Sequence, residues 1–511
     1  MVQLVGKEVI MKTSYILMLV TIISKIFGLA REKALAHFFG AGMVADVFLV
    51  AFQIPMTFTN VITGATANGY IPIYNEIAEK ESYKKADDFT ANLSNIVFIF
   101  TFIISIVGII FAKDLVNLMA IGFKGEKLEL ATFMTKVSLL SLCATSVFSI
   151  FKAYLQIKKN FIVSVCHAII MNLIIIASMA FAYKAGAEYL AWGILAGFVC
   201  QYLIFLPYIK KNGYRHSFKI NLREDNFLNL MKIILPVLIS TSVIELNFII
   251  SKSLASDLFS GAISSLNYAY KLQSFVTGIV VTSIVTAVYP QMAKYGVKKD
   301  FKGLKEETGD ALLTMAILVI PASLGLFIFS GPIVRLLFLG GAFLEKDVTL
   351  TATVLSFYAF GIIAIGFREI ISRVFYTFMD AKTPVINSVI MVAINIALSL
   401  VLVKLMGIEG LALATTISFI IGALLITLSA GLKIGNLFTK KTSKELLKII
   451  IASALMGLLS KIAFEFLGGF LGQAISLLLS IVLAGFVYLL ALIVLKSEEV
   501  YSIINKLKNR R

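Results

Sequence analysis

The sequence predicts an all-α polytopic membrane protein with about fourteen transmembrane helices. Of its 511 residues, 59% are hydrophobic and only 15% are charged, whereas a soluble globular protein carries roughly 25% charged residues. Apolar segments that reach the roughly 20 residues needed to cross a bilayer recur along the whole chain. The connections between these segments are short, and alternate connections are basic, which is typical of a polytopic protein.

Hydropathy and segment length locate the predicted helices in chain order. The approximate segments are 13–37, 44–74, 89–112, 129–157, 161–183, 188–209, 227–254, 260–292, 308–330, 348–378, 384–405, 410–432, 444–466 and 470–495. The first twelve are predicted to form two parallel six-helix lobes, over residues 1–212 and 226–432. Two additional helices in 443–495 and a basic tail in 496–511 complete the plan.

Weak internal similarity supports the two lobes. Lys184–Gly193 resembles Lys404–Ala414, and Phe39–Pro55 resembles Phe259–Phe275, both at an offset of about 220 residues. Six predicted helices separate equivalent points, so the two halves have the same orientation. Parallel halves of this kind are typical of transporters, whose substrate site is expected between the repeats near the bilayer midplane.

The formal net charge of +17 is better explained by membrane topology than by a nucleic-acid partner. One set of connections, together with both termini, holds about 28 Lys and Arg, against about 8 in the opposite set. This asymmetry places both termini in the cytoplasm. Cys143, Cys166 and Cys200 lie in apolar segments without metal-ligand spacing, so no metal site is expected.

Several cations fall inside the predicted spans, where charge costs about 2.5–3.5 kcal/mol per group on insertion scales. Lys25 and Lys271 lie near the midplane of the first and eighth spans, and Arg31 lies further towards the outer surface. Snorkelling to headgroups is the alternative for the lysines. Cations in both lobes predict an anionic substrate, for which Arg31 offers a bidentate fork and the lysines point charges.

Other charged residues have separate predicted roles. Asp46 lies at a depth similar to that of Arg31, and their pairing at an outer gate would offset the cost of burial. Glu245 with Asn395 is a candidate coupling site for a cation or proton, although a protonated carboxyl or an internal pair would also explain Glu245. Two further candidates for the cavity are Arg368 and Arg373, with snorkelling as the alternative for Arg373.

No enzyme signature accompanies these charges. The sequence contains no GxxxxGK[ST] phosphate loop, no HExxH and no clustered aspartates that could hold Mg²⁺ beside a sugar nucleotide. A membrane-embedded glycosyl- or phosphotransferase is therefore disfavoured, and a scaffold gives no reason for midplane charge. A transporter without a cofactor is predicted, and coupling to Na⁺, H⁺ or the membrane potential is left open.

Three sequence blocks resemble the MurJ (MviN) family. SKIFGLAREKALAHFFGAGMVADVFLVAFQIP, at 24–55, resembles its first two helices, NYAYKL (Asn267–Leu272) its YYADRL-like segment, and FYTFMDAKTPV (Phe375–Val385) its FYSxxDxKTPV segment. The length and the plan of six, six and two helices agree. The family belongs to the multidrug/oligosaccharidyl-lipid/polysaccharide exporter superfamily. Its members flip lipid II, the undecaprenyl-pyrophosphate-linked peptidoglycan precursor, to the outer leaflet.

The resemblance implies an alternating-access flippase of the bacterial inner membrane and assigns residues to it. Arg31 matches the family's essential cavity arginine and Asp46 its conserved aspartate, while Lys25 and Lys271 stand at arginine positions. Expected partners are a polyprenyl-pyrophosphate-linked glycan, membrane lipids and cell-wall synthesis enzymes. The last two helices are expected to form a groove for the lipid tail.

The second span departs from the family pattern. LPNLLRRIFAEGA is typical there, whereas this chain has IPMTFTNVITGATA (Ile54–Ala67), with Thr59 and Asn60 at the arginine positions. This departure leaves a second function open, the export of another lipid-linked polysaccharide unit of capsule or teichuronic type. A drug exporter of the same superfamily is disfavoured, because cavities for cationic drugs are usually acidic.

Overall fold

A computed structural model gives the structure of the protein and describes the backbone of residues 2–500. Side chains are described for residues 19–63, 69–234, 242 and 245–500. The described part contains eighteen helices. They are α1 (Val2–Phe39), α2 (Met43–Lys80), α3 (Tyr83–Ile110), α4 (Ala112–Met119), α5 (Gly125–Leu139), α6 (Leu142–Ile157), α7 (Phe161–Ala185), α8 (Tyr189–Leu203), α9 (Phe205–Lys211), α10 (Asp225–Ser256), α11 (Ala262–Val297), α12 (Phe301–Ile328), α13 (Ser330–Phe338), α14 (Glu345–Thr377), α15 (Lys382–Met406), α16 (Ile408–Ile434), α17 (Lys440–Gly468) and α18 (Gln473–Val494).

The predicted all-α membrane fold is confirmed, and every predicted segment lies on a helix or a consecutive helix pair. By length and composition, eleven described helices could cross a membrane. The number is twelve if α5 and α6, bent by 44°, form one span. Segments 13–37 and 227–254 lie on α1 and α10, some of whose side chains are outside the described residues. The total of about fourteen spans therefore stays a prediction.

The chain forms two compact units. The first comprises Met1–Ser264 together with Gly341–Phe343, and the second comprises Ser265–Gly340 and Leu344–Arg511. Helix α10 belongs to the first unit, where it packs against α2. The compact units thus divide the chain after α10, whereas the repeat-based lobes divide it before α10. The lobe boundaries at 212 and 226 stay a prediction.

Helix α3 shows how the sequence suits a lipid environment. Phe98, Phe100 and Phe102 are exposed on its outer face, while Thr101 and Ser105 are buried. The Ser105 hydroxyl donates to the Leu139 carbonyl at 2.8 Å. Since lipid tails are as apolar as these phenylalanines, the helix gains by turning its small polar side chains towards its neighbours.

The two additional helices, α17 and α18, pack in the second unit. The Tyr488 hydroxyl of α18 donates to the Ile317 carbonyl of α12 at 2.8 Å. The buried Glu445 carboxylate of α17 accepts from the Ser497 hydroxyl just beyond α18, at 2.8 Å. These polar contacts hold the pair to each other and to α12. The groove for a lipid tail, which the resemblance implies, stays an expectation.

One carboxylate organises the turn within FYTFMDAKTPV (Phe375–Val385). Asp380 accepts from the Lys433 ammonium at 2.8 Å and from the Thr383 amide and hydroxyl at 3.0 and 2.9 Å. The Lys433 hydrogen bond, followed by those of Thr383, holds the pKa of Asp380 at about 2, below its ordinary value of 3.8. The contacts fasten the start of α15 to the end of α16.

We expect Asp380→Ala to lower thermal stability, because it removes a cap of the type worth about 1 kcal/mol. The stabilisation requires the ionised form, whose pKa is lowered by folding. It should therefore be complete above about pH 4 and disappear as the pH falls through about 2. Melting of the purified protein across this range measures it. A wild-type advantage that persists unchanged at pH 2 would contradict the assignment.

Candidate functional site

Arg31 is nearly buried in the first unit, with 6% of its surface exposed, and Glu32 is fully buried. Nη2 of Arg31 donates to Oε1 of Glu32 at 2.5 Å. The guanidinium also lies over the Phe52 ring, with Cζ 4.5 Å from the ring centroid. Its Nε has no hydrogen-bond partner among the described residues. The ion pair and the ring offset part of the cost of burying the charge, and one donor is left for a further acceptor.

Asp46 is fully buried near the start of α2 and accepts four hydrogen bonds. The donors are Lys127 Nζ at 2.9 Å, the Gly261 amide at 2.7 Å, and the Ser264 amide and hydroxyl, each at 2.9 Å. The amides belong to the N-terminal end of α11, where backbone N–H groups lack helical partners and favour an anion.

The predicted pairing of Asp46 with Arg31 is wrong in this structure. Asp46 is occupied by Lys127 and by the start of α11, and Arg31 is occupied by Glu32. The physical reason is that the helix N-terminus and an ammonium together satisfy the carboxylate fully. Asp46 therefore joins α2, α5 and the first residues of α11, and its role at an outer gate stays a prediction.

Backbone segments touch directly beside Asp46. A Cβ on Gly40, whose φ is +63°, would lie 2.5 Å from the Ala342 carbonyl oxygen. A Cβ on Gly261, whose φ is +102°, would lie 2.2 Å from the Ala41 carbonyl oxygen. Only glycine allows both the conformation and the approach. We call these two approaches the glycine contacts.

The other two predicted substrate-binding cations lie in different units. Lys25 is half-buried on α1 in the first unit, and Lys271 is half-buried on α11 in the second. Two residues beyond Lys271, the Gln273 amide donates to the Tyr358 carbonyl of α14 at 2.7 Å. Each compact unit therefore carries part of the predicted anion-binding set, and the role of the set stays a prediction.

Arg368 and Arg373 lie on α14 in the second unit. Arg368 Nη2 donates to the Ser388 hydroxyl of α15 at 2.5 Å, and Arg373 Nη2 donates to Glu369 at 3.1 Å. Arg373 also lies 5.7 Å from the Tyr289 ring centroid. Nη1 of Arg368 also lies 4.0 Å from Oε1 of Glu369. Two guanidiniums therefore share one carboxylate, which leaves this part of α14 with excess positive charge.

Glu245 is the centre of a polar seam between α2 and α10. It is 8% exposed, and its carboxylate accepts from Thr57 at 2.9 Å, Asn60 at 3.0 Å and Gln53 at 3.4 Å. The Lys252 ammonium donates to the Gln53 side-chain oxygen at 3.1 Å. Three side chains thus satisfy the hydrogen-bonding capacity of this buried carboxyl group.

Asn395, the predicted companion of Glu245, lies in the second unit on α15. It is 2% exposed, and its side-chain oxygen accepts from the Ser399 hydroxyl at 3.1 Å. The hydrogen bonds described for Glu245 are all formed inside the first unit. Glu245 therefore takes part in a hydrogen-bond network within the first unit, and a shared role with Asn395 stays a prediction.

Sequence reasoning missed Lys127 and the partners of Glu245. Lys127 lies in the set of connections that holds only about 8 Lys and Arg. A cation is uncommon there, and this could have indicated a specific role for Lys127. Gln53, Thr57 and Asn60 recur at intervals of four and three residues. This spacing places them on one face of α2 and could have indicated a polar seam. Among the described residues, no group of three or more His, Cys, Asp or Glu side chains could hold a metal.

Comparison with known proteins identifies relatives over most of the chain. The family model described as lipid II flippase MurJ matches residues 35–482. The probable lipid II flippase MurJ of Buchnera aphidicola subsp. Baizongia pistaciae is 31% identical over 415 residues, which cover 80% of this chain and 81% of that protein. The lipid II flippase MurJ of Burkholderia cenocepacia is 29% identical over 418 residues, with the same shares covered.

Solved structures give the same relationship. The structure titled lipid II flippase MurJ, inward closed conformation, has a TM-score of 0.81 at 26% identity and covers 93% of this chain and 97% of that chain. An inward-facing multidrug resistance MATE family transporter of the MOP superfamily has a TM-score of 0.70 at 13% identity. It covers 81% of this chain and 95% of that chain. At this low identity the second similarity shows a common fold alone.

Proposed function

Because the chain belongs to the lipid II flippase MurJ family, we propose that it moves lipid II from the inner to the outer leaflet of the bacterial cytoplasmic membrane. The family match over residues 35–482 carries the proposal. The chain is a multi-pass membrane protein and a transporter rather than a catalytic enzyme. Its substrate is a lipid-linked precursor, and lipid II is the precursor that the curated relatives are named for.

The proposed mechanism is alternating access with cations that replace water around the pyrophosphate. Two features of Arg31 support this role. Its Nε has no hydrogen-bond partner among the described residues, and its Nη2 donates to the carboxylate of Glu32. A phosphate oxygen can take the place of Glu32 and use the planar fork of the guanidinium. Lys25 adds charge from the same helix, and Lys271 adds charge from the second unit.

The alternative substrate is another lipid-linked polysaccharide unit of capsule or teichuronic type. The specific observation in its favour is the polar seam around Glu245. Asn60, at a family arginine position, donates to this carboxylate at 3.0 Å. A region where the family carries positive charge thus carries neutral amides and a carboxylate in this chain. Substrate groups bound there would differ in charge from those that an arginine selects.

Complementation tests the proposed function. The chain, expressed in a strain depleted of its lipid II flippase, should restore growth and the appearance of lipid II at the outer leaflet. Arg31→Ala, at an equal level in the membrane, is the negative control. Failure of the parent chain, inserted at a normal level, would overturn lipid II as substrate. Export of a capsule or teichuronic-type unit by the same cells would then support the alternative.

The orientation with both termini in the cytoplasm is part of the proposal. Cys143, Cys166 and Cys200 are first replaced by serine, and single cysteines are then placed at exposed positions. Cysteines at Lys298 and Lys441 should react only after the cytoplasmic side is opened, and one at Lys346 should react from outside. Labelling of Lys298→Cys from outside in intact cells would contradict this orientation.

Glu245, with Asn395, is proposed to couple transport to a cation or a proton. Glu245→Gln keeps the shape of the side chain and removes its charge, so the hydrogen bonds to Thr57 and Asn60 weaken. We expect transport to slow and to lose its dependence on Na⁺ or on the pH gradient. Flipping in vesicles with each gradient imposed separately is the measurement. A variant that keeps the full gradient dependence would show that coupling occurs elsewhere.

A further inference from the structure

The segment between α9 and α10, residues 213–224, forms no helix or strand and is hydrogen-bonded to α3. We call it the strap. Two asparagines of α3, one turn apart, hold its backbone. The hydrogen bonds are Asn95 Nδ2 to the carbonyls of Ser217 (2.7 Å) and Lys219 (3.0 Å), Asn92 Nδ2 to the carbonyl of Asn221 (2.9 Å), and the Asn221 amide to Asn92 Oδ1 (2.8 Å). The strap is thus fixed by its polar backbone, and its side chains are left for other contacts.

His216 strengthens this attachment. Its Nε2 lies 2.8 Å from Asn95 Oδ1, and its Nδ1 lies 2.9 Å from the Tyr214 hydroxyl. Tyr214 is buried in the aromatic core of the first unit and packs edge-on against Phe151, with ring centroids 5.2 Å apart. Both ends of the imidazole are therefore held between α3 and the core, so the strap has a defined position.

The strap exposes three large apolar side chains. Phe218 is 86% exposed, Ile220 is 51% exposed and Leu222 is 59% exposed. Phe218 and Ile220 line one cleft beside α3, and Leu222 lies in the turn that follows. Three exposed apolar side chains close together on a fixed segment are unfavourable in water. Such a patch indicates a surface that contacts an apolar environment.

Cations accompany this apolar face. Arg215, Lys219 and Arg223 are exposed, and the one carboxylate within the strap, Glu224, accepts a hydrogen bond from Asn92. The strap therefore combines apolar side chains with an excess of positive charge. This combination is typical of segments that lie at the surface of an anionic membrane.

The neighbouring surface of α3 indicates that the strap lies against lipid. One turn beyond Asn95, the exposed side chains of Phe98 and Ile99 begin the apolar face that suits lipid. A cleft of about 320 Å³ separates this face from the strap. It is lined by Ser94, Asn95, Phe98, Ile99, Val147, Phe151, Tyr202, His216, Phe218 and Ile220. The cleft is mostly apolar, with polar groups of Asn95 and His216 in its wall, so it suits an amphiphile.

We propose that the strap and this cleft form a binding site for an anionic phospholipid of the adjacent leaflet. The phosphate is bound by the cations Arg215, Lys219 and Arg223, and an acyl chain enters the cleft beside Phe98 and Phe218. This leaflet is the cytoplasmic one in the proposed orientation. The site does not depend on the identity of the transported substrate, because it lies on the side of α3 that also exposes Phe98 and Ile99.

Tryptophan fluorescence in vesicles tests the proposal. Trp192 is the only tryptophan in the sequence, so Trp192→Phe with Phe218→Trp places a single probe on the strap. The full chain is reconstituted in phosphatidylcholine and phosphatidylglycerol, and brominated acyl chains are carried by one lipid or the other at equal mole fraction. We expect at least a twofold fall in fluorescence, and stronger quenching when phosphatidylglycerol carries the bromine. Quenching by aqueous iodide, without quenching by brominated lipid, would overturn the proposal.

A charge variant tests the headgroup contact separately. Replacing Arg215, Lys219 and Arg223 together by glutamine should abolish the preference for brominated phosphatidylglycerol and leave insertion of the probe intact. The matched control replaces Lys298, Lys299 and Lys302 by glutamine in another exposed basic connection and should keep the preference. Equal quenching by the two lipids in the parent protein would contradict binding of an anionic lipid. Protection of the probe from both lipid and iodide would indicate a protein partner and would also overturn the proposal.

Discussion

Arg31→Ala is expected to abolish flipping, and Lys271→Ala is expected to nearly abolish it. A charge-assisted hydrogen bond to a ligand is worth a few kcal/mol, so each loss should exceed roughly tenfold at equal protein level. Lys271→Arg should be tolerated, because the change keeps the charge and the resemblance implies an arginine at this position. Flipping of a polyprenyl-pyrophosphate saccharide in vesicles is the measurement.

Arg31→Ala needs a control for folding, because it leaves Glu32 buried without its arginine. Breaking a buried pair from one side typically costs about 3–5 kcal/mol, so the single variant can fail for structural reasons. Arg31→Ala combined with Glu32→Gln removes both charges and relieves this cost. We expect the double variant to insert and fold but not to transport. Full activity of Arg31→Ala, Glu32→Gln and Lys271→Ala combined would disprove the anion-binding role.

Asp46→Ala is expected to give the second large effect. It leaves the Lys127 ammonium and the first amides of α11 without their acceptor, since all of them donate to this carboxylate. The start of α11 should then separate from α2 more readily, and flipping should slow at least tenfold. The structural readout is a single cysteine at Ile263, which is 1% exposed, in a background without the native cysteines. Its labelling should rise in the variant.

Lys127→Met completes a double-mutant cycle for the Asp46 prediction. If the ion pair holds the start of α11, then Asp46→Asn and Lys127→Met should each raise labelling at Ile263→Cys. The double variant should add little, because the two residues act through one interaction. Unchanged labelling in Asp46→Ala, with normal insertion, would mean that Asp46 only shapes the turn before α2.

The fold class was accessible from the sequence because its determinants are local. Apolar runs such as 89–112 and 470–495 are longer than the apolar face of a helix in a soluble protein requires. In the structure the first lies on α3 and the start of α4, and the second lies mainly on α18. The family was accessible because the block from Ser24 to Pro55 combines glycine turns with charges at fixed spacing. Of the candidate residues, Arg31 and Asp46 were singled out as buried charges, and both are buried.

The partners of these charges could not be predicted from spacing. Adjacent residues on a helix do not face each other, so helical spacing does not predict the pair of Arg31 with Glu32. The long guanidinium nevertheless reaches back to the neighbouring carboxylate where Phe52 covers it. Lys127 is 81 residues from Asp46 in sequence, and no periodicity relates them. Such pairs follow from tertiary packing, which leaves few local traces.

The glycine contacts beside Asp46 have a consequence for the speed of the transport cycle. Ordering a long side chain costs up to about 1.5–2 kcal/mol in lost rotamer freedom, whereas glycine has none to lose. Where Gly40 meets Ala342 and Gly261 meets Ala41, the surfaces are backbone, so they can separate and rejoin without freezing or releasing side chains. Backbone surfaces of this kind add no side-chain rotamer entropy to a barrier for their separation, and the hydrogen bonds of the Asp46 carboxylate hold α2 at the start of α11.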